Sequence, residues 1–189
     1  MKVFRVSLDS NKFQSLLPCD QAIWHTEALE MNCSPKMSAW RPPAVYVSNP
    51  RLRFGNFLHL CSGGFVTDPK GLESLRDLLE MAGELLPLPH DGSTFWLTNV
   101  LECFNCLDAG DSQWVLGKTT GARVAIRRYE FFRDRFGEST LFKIPETAAG
   151  EVLTVSGMKD PEDEFKSRVE QAGLQGILFE ELWSDQVTD

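Results

Sequence analysis

Cys103-Phe-Asn-Cys106 is the one spacing in this chain that metal and redox chemistry commonly uses, because two thiols three residues apart can share a metal ion or close a disulfide. A structural zinc needs four ligands, and the remaining candidates, Cys19, Cys33, Cys61, His25, His59 and His90, form no second paired spacing. A thioredoxin-type dithiol sits at the start of a helix, whereas this pair closes a β-type run over residues 94–107. Buried structural thiols are therefore the favoured reading. A small metal- or thiol-dependent enzyme built on Cys103 and Cys106 is the alternative. The three histidines lie in no nucleophile or metal motif, and the chain contains no G-x-S-x-G, H-E-x-x-H, P-loop or G-x-G-x-x-G. Asp108, Asp111 and Ser112 fit a tight turn whose Asx side chains bond local amides.

Carboxylates are the other chemistry-bearing group. Net charge is −8, and residues 1–144 balance 16 acids against 16 bases while residues 145–189 hold 11 acids against 3 bases. Residues 118–144 carry seven bases and three acids, so the expected surface is bipolar. A negative face repels nucleic acid and attracts cationic partners. Within it, Glu180, Glu181 and Asp185 flank Trp183, which reads either as an aromatic anchor in a charged rim of the kind that makes a binding hot spot or as a core residue closing the hydrophobic layer. Asp160, Glu162, Asp163 and Glu164 complement a helix N-terminus first, and join the tail acids as candidate contacts.

The elements that position these residues follow from periodicity and capping. Asp68-Pro69 opens a helix whose Leu72, Leu75, Leu79 and Ala82 form one stripe ending at Gly83. Asp160-Pro161 repeats that start, Phe165, Val169 and Ala172 make the stripe, and Gly173 is the left-handed stop with Leu174 folding back. Strands are expected at residues 2–8, 44–48, 54–60, 94–107 with a break at Asn99, 122–132, 151–155 and 176–182, the last as a buried strand. Residues 13–40 are irregular, with one short helix within 22–31. Strands clustered mid-chain rather than alternating with helices predict α+β: one domain over 1–189, a mostly antiparallel or mixed sheet with at least two helices packed on it. No apolar run approaches the ~20 residues that span a bilayer. Residues 1–10 lack a secretory h-region, and five irregularly spaced cysteines suit reduced thiols, so a cytosolic protein is expected.

The segments LFKIP, VLTVS, VEQAGLQGILF and the terminal LW, with GELLPL at residues 83–88 and LDAGDS at residues 107–112, resemble the bacterial immunity protein 11 family of polymorphic toxin and type VI secretion systems. The resemblance runs from about Tyr46 onward and is carried by packing and turn residues. It implies a non-enzymatic protein, without cofactor or metal, that binds and neutralises a cognate secreted toxin at the toxin's active site. An acidic surface adds that the partner is a basic domain, and a nuclease is basic because its substrate is a polyanion.

With no complete ligand set, the protein should fold without metal. Thermal melts with and without EDTA should coincide, and a large drop on chelation would contradict this.

Overall fold

Residues 1–186, the His25 side chain excepted, are described by a computed structural model. In chain order the elements are β1 (Lys2–Leu8), β2 (Leu16–Pro18), β3 (Val45–Val47), β4 (Phe57–Leu58), β5 (Gly64–Thr67), α1 (Pro69–Ala82), β6 (Gly83–His90), β7 (Ser93–Val100), β8 (Gln113–Leu116), β9 (Arg123–Arg128), β10 (Leu141–Phe142), β11 (Val152–Ser156), α2 (Phe165–Gln171) and β12 (Ile177–Ser184). They form four antiparallel sheets, ordered β10-β11-β1-β12, β4-β5-β7-β6, β2-β3 and β8-β9, so the fold is α+β. No helix among the described residues is long and apolar enough to cross a membrane.

Strand β1 runs between β11 and β12, antiparallel to both. Alternation then sends Val3 to one face with Leu153, Val155 and Phe142, and Val6 to the other with Val152 and Leu141. Both faces are covered. The first lies under the segment bearing Tyr129 and Phe131, the second under α1 and α2. The β4-β5-β7-β6 sheet is likewise buried twice: Phe57, Phe65 and Val100 meet the helices, while Leu58, Val66, Leu97, Leu86 and Leu88 meet Leu16, Met31 and Trp40 of the N-terminal excursion. Strand β6 tolerates exposed Pro87 and Pro89 because it is an edge strand, where a missing amide leaves no ladder bond broken.

Helix α1 matches its expected bounds. The Asp68 side chain accepts from the Gly71 amide at 2.7 Å, and Leu72, Leu75, Leu79 and Ala82 are buried. The second helix differs at its start. Asp160 makes no side-chain cap; Pro161–Asp163 form a separate 3-10 turn and α2 begins at Phe165, whose amide is taken at 3.1 Å by Thr140 Oγ1. A distant hydroxyl thus replaces the local cap. Its end is as expected: Gly173 adopts φ +62°, its amide donates to Glu170, and Leu174 donates to Val169 and is buried, the paired bonds of a Schellman stop.

Other expectations shift. The run over 94–107 ends as a strand at Val100, that over 122–132 shortens to β9, and that over 54–60 to β4. The stretch 22–31 holds 3-10 turns Gln21–His25 and Glu27–Leu29 in place of a helix. Strand β12 is a half-exposed edge rather than a buried strand, with Leu178 46% exposed. Strands β2, β5, β6 and β8 lie outside the expected runs: β2 falls in the stretch read as irregular, β6 follows α1 without a loop, and β8 is too short to show a period.

Phe165 is fully buried, with ring centroids 6.3 Å from Phe57, 5.9 Å from Phe65 and 6.2 Å from Phe179, so one side chain ties α2 to both large sheets. Phe165→Ala should lower stability by about 3 to 5 kcal/mol. Urea denaturation checks it, and a change near zero would place the core elsewhere.

Candidate functional site

The acids expected to form one contact surface are divided by the fold into three settings. On β12 each carboxylate meets a cation from β1 or beyond. Glu181 Oε2 lies 2.7 Å from Lys2 Nζ and Glu180 Oε2 lies 2.6 Å from Arg5 Nη1, because the antiparallel register places these strands side by side. Asp185 accepts from the N-terminal amine at 2.7 Å and sits 3.1 Å from Arg133; the amine's hydrogen bond holds its carboxyl below the usual range. Trp183 is half-buried, edge-on to Phe131 at 5.8 Å, with Nε1 donating to Glu130 Oε2 at 2.9 Å. It closes the cluster around Val3 and Phe131 instead of standing free as an anchor.

Glu164 is withdrawn altogether. It is 2% exposed and its two oxygens accept from the Met158 and Lys159 amides at 2.8 and 3.1 Å and from the Ser156 and Ser167 hydroxyls at 3.0 and 3.2 Å. The carboxylate organises the approach to α2, so it cannot also serve as a contact residue. Pairing and burial answer different needs here: a solvated acid can wait for a partner, whereas a buried one must be satisfied at folding.

Asp160, Glu162 and Asp163 remain. They are exposed on the 3-10 turn, and no ion pair involves them among the described residues. Arg168 fixes the turn beside α1: its Nε donates to the Glu162 carbonyl at 2.7 Å, Nη1 to the Ser74 carbonyl at 3.1 Å, and Nη2 meets Asp77 at 2.8 Å. Exposed Glu73 neighbours Ser74 on α1 and likewise has no ion pair among the described residues. Arg168 thus joins an exposed acidic ridge from two elements far apart in sequence. The opposite charge is carried by the β8–β9 hairpin, where Arg123, Arg127 and Arg128 are exposed.

The Arg5 side chain anchors a second feature. Its Nη2 donates to the Tyr129 hydroxyl at 3.0 Å and meets Glu151 at 3.2 Å, while that hydroxyl donates to Glu151 at 2.7 Å. Burial, then the Glu151 carboxylate, pushes the Tyr129 phenol up to about 12; burial works against the Arg5 charge, but Glu151 prevails and raises it. The triad borders a 460 Å³ cleft with Val124, Ile126 and Glu146. The triad's mutual contacts suit a structural clasp between β1, β11 and the segment after β9, with Arg5 Nε left buried and without a hydrogen-bond partner among the described residues.

The cysteine pair does not assemble. Cys106 is fully buried against Val3, Phe142 and Leu153, where burial pushes its thiol up to about 12, while Cys103 is exposed. The two thiols of this spacing thus stand in different surroundings. Residues 108–112 form the expected turn, with Asp108 Oδ1 accepting from the Gly110 and Asp111 amides at 3.0 and 3.1 Å. His59 is half-buried, and burial lowers its pKa; His90 contacts Phe95 and Asp91; the His25 side chain lies outside the described residues. Among the described residues, no three His, Cys, Asp or Glu side chains converge as a metal ion would require.

Comparison with protein-family models and with curated proteins finds no match for this chain.

Glu164→Ala should cost at least about 2 kcal/mol, since it strands two amides and two hydroxyls at least partly away from water. Denaturant titration measures it. Asp163→Ala, on the same turn but exposed, should change stability by less than about 0.5 kcal/mol.

Proposed function

We propose that this chain is a cytosolic immunity protein that binds and neutralises a basic bacterial toxin domain, with the ridge of Asp160, Glu162 and Asp163 as its contact. The class of function rests on the local resemblance of LFKIP, VLTVS and VEQAGLQGILF to immunity protein 11 sequences, not on a family match. The observation that favours this surface over β12 is that its three carboxylates have no cation of their own among the described residues, whereas Glu180, Glu181 and Asp185 do. An unpaired acid contributes its full field to an approaching partner; a paired one presents only a dipole. Such a ridge steers a basic domain during encounter, over a range screened within about 8 Å at physiological ionic strength. A nuclease fits this best, because its substrate-binding face is already positive. The acids then occupy the place where phosphates would lie.

Co-expression with the product of the adjacent gene tests the class: a toxic neighbour rescued by this chain is the expected result, and a harmless or unrescued one counts against it. Binding kinetics test the surface. Changing Asp160, Glu162 and Asp163 to Lys should slow association about tenfold or more and flatten its salt dependence, with the melting temperature kept. Reversing Glu180, Glu181 and Asp185 instead sets Lys against Lys2, Arg5 and Arg133, and should lower the melting temperature. An unchanged association rate in the first variant would move the interface elsewhere.

A further inference from the structure

We propose that Cys33 and Cys103 form an oxidation site, which a peroxide converts to a disulfide fastening segment 31–36 to the loop after β7. The proposal is independent of the toxin-binding reading. Sequence spacing pairs Cys103 with Cys106, but the fold turns them to different surroundings and brings Cys33 to Cys103 instead.

The contact is built from several sides. Cys103 and Lys143 face one another in a parallel bridge, with the Lys143 amide donating to Glu102 at 2.8 Å and the Phe104 amide donating to Lys143 at 2.9 Å. Paired residues project to the same side, so Cys103 lies alongside the Lys143 stem. Lys143 is fully buried, and its Nζ donates to the Met31 carbonyl. Gly63 makes room for this meeting: its φ is +74°, and a Cβ there would lie 3.2 Å from Nζ and 2.5 Å from the Met31 oxygen. Segment 31–36 is therefore anchored just where Cys103 emerges. Asn99 Nδ2 holds it further by donating to the Ser34 carbonyl at 2.9 Å, and Glu84 accepts from the Lys36 amide at 2.7 Å. Between these anchors Cys33, two residues from the Lys143 contact at Met31, adopts φ +65°, a left-handed conformation uncommon for a residue with a Cβ. Closing the disulfide brings the two sulfurs to the S–S length of about 2.05 Å, between a segment and a loop that Lys143 already fastens together.

Exposure assigns the order of events. Cys103 is exposed and Cys33 half-buried, and burial, then Cys103, pushes the Cys33 thiol up to about 11. Cys103 therefore reacts first. Its thiolate attacks one oxygen of hydrogen peroxide, the O–O bond breaks, one water leaves, and a sulfenic acid remains on Sγ. Cys33 Sγ then attacks Cys103 Sγ; the S–O bond breaks and hydroxide departs as water with the Cys33 proton. Two thiols lose two electrons and two protons, and one peroxide becomes two waters. Lys143, whose pKa burial lowers, lies within electrostatic reach of both sulfurs. Cys61, buried beside the same amine with its thiol at about 12, stays out of reach of the oxidant.

The full-length protein, reduced and then treated with hydrogen peroxide, provides the test. Free thiols should fall from five to three, the chain should stay monomeric on a non-reducing gel, and peptide mass spectrometry should join the Cys33 and Cys103 peptides. Cys103→Ser should abolish the link and Cys106→Ser should leave it unchanged. In Cys33→Ser, Cys103 should persist as a sulfenic acid trapped by dimedone, a readout that needs no disulfide to form. A Cys103–Cys106 link, a Cys103-linked dimer or five surviving thiols would each overturn the proposal.

Discussion

Everything in this fold depends on the insertion of β1 between β11 and β12. The first seven-residue strand pairs with two strands drawn from the last forty residues, so the sheet exists only once the chain has closed on itself. That closure costs loop entropy before it gains contacts, and it is repaid because side chains on both faces of β1 and β11 are buried. Val3 and Val6, neighbours but for two residues, end in different clusters, and neither cluster is complete without this strand. The same register sets Lys2 and Arg5 against Glu181 and Glu180. Charge in the tail is consequently spent inside the molecule.

Carboxylates of similar appearance in the sequence thus acquire different work. Glu164 is an internal acceptor for two amides and two hydroxyls, and Thr140 caps the helix that Asp160 does not. With its capping role removed, Asp160 is left in solvent beside Glu162 and Asp163. An acidic ridge is the by-product of satisfying α2 from elsewhere. Its alignment with α1 comes from Arg168, a single guanidinium bonded to a carbonyl on each element.

Lys143 poses the complementary problem, a buried amine. Its cost is met by the Met31 carbonyl and by a glycine that keeps the approach clear, and the thiols of Cys33, Cys61 and Cys103 gather around it. A cation in such a place anchors the otherwise irregular N-terminal excursion, which has little regular structure of its own to hold it. Trp40 does the same at the far edge by donating to the Pro87 carbonyl at 2.8 Å.

Local rules were enough for much of this. Asp68-Pro69, the 3-4-3 leucine stripe and Gly83 specify α1, and Gly173 with Leu174 specifies the end of α2, because capping and periodicity act within one or two turns and need no knowledge of the rest of the chain. The alternation of residues 2–8, the Asx turn at 108–112 and the α+β class were legible for the same reason. Which acids are free, which thiols meet and whether Trp183 is anchor or core were not. Those answers depend on partners more than a hundred residues away, such as Arg5 for Glu180 and Met31 for Lys143, or on neighbours like Thr140 that reach Phe165 only after the strands pair. Sequence sets the type of each group and its local geometry; only the closed tertiary structure decides whether its charge or its thiol is already satisfied.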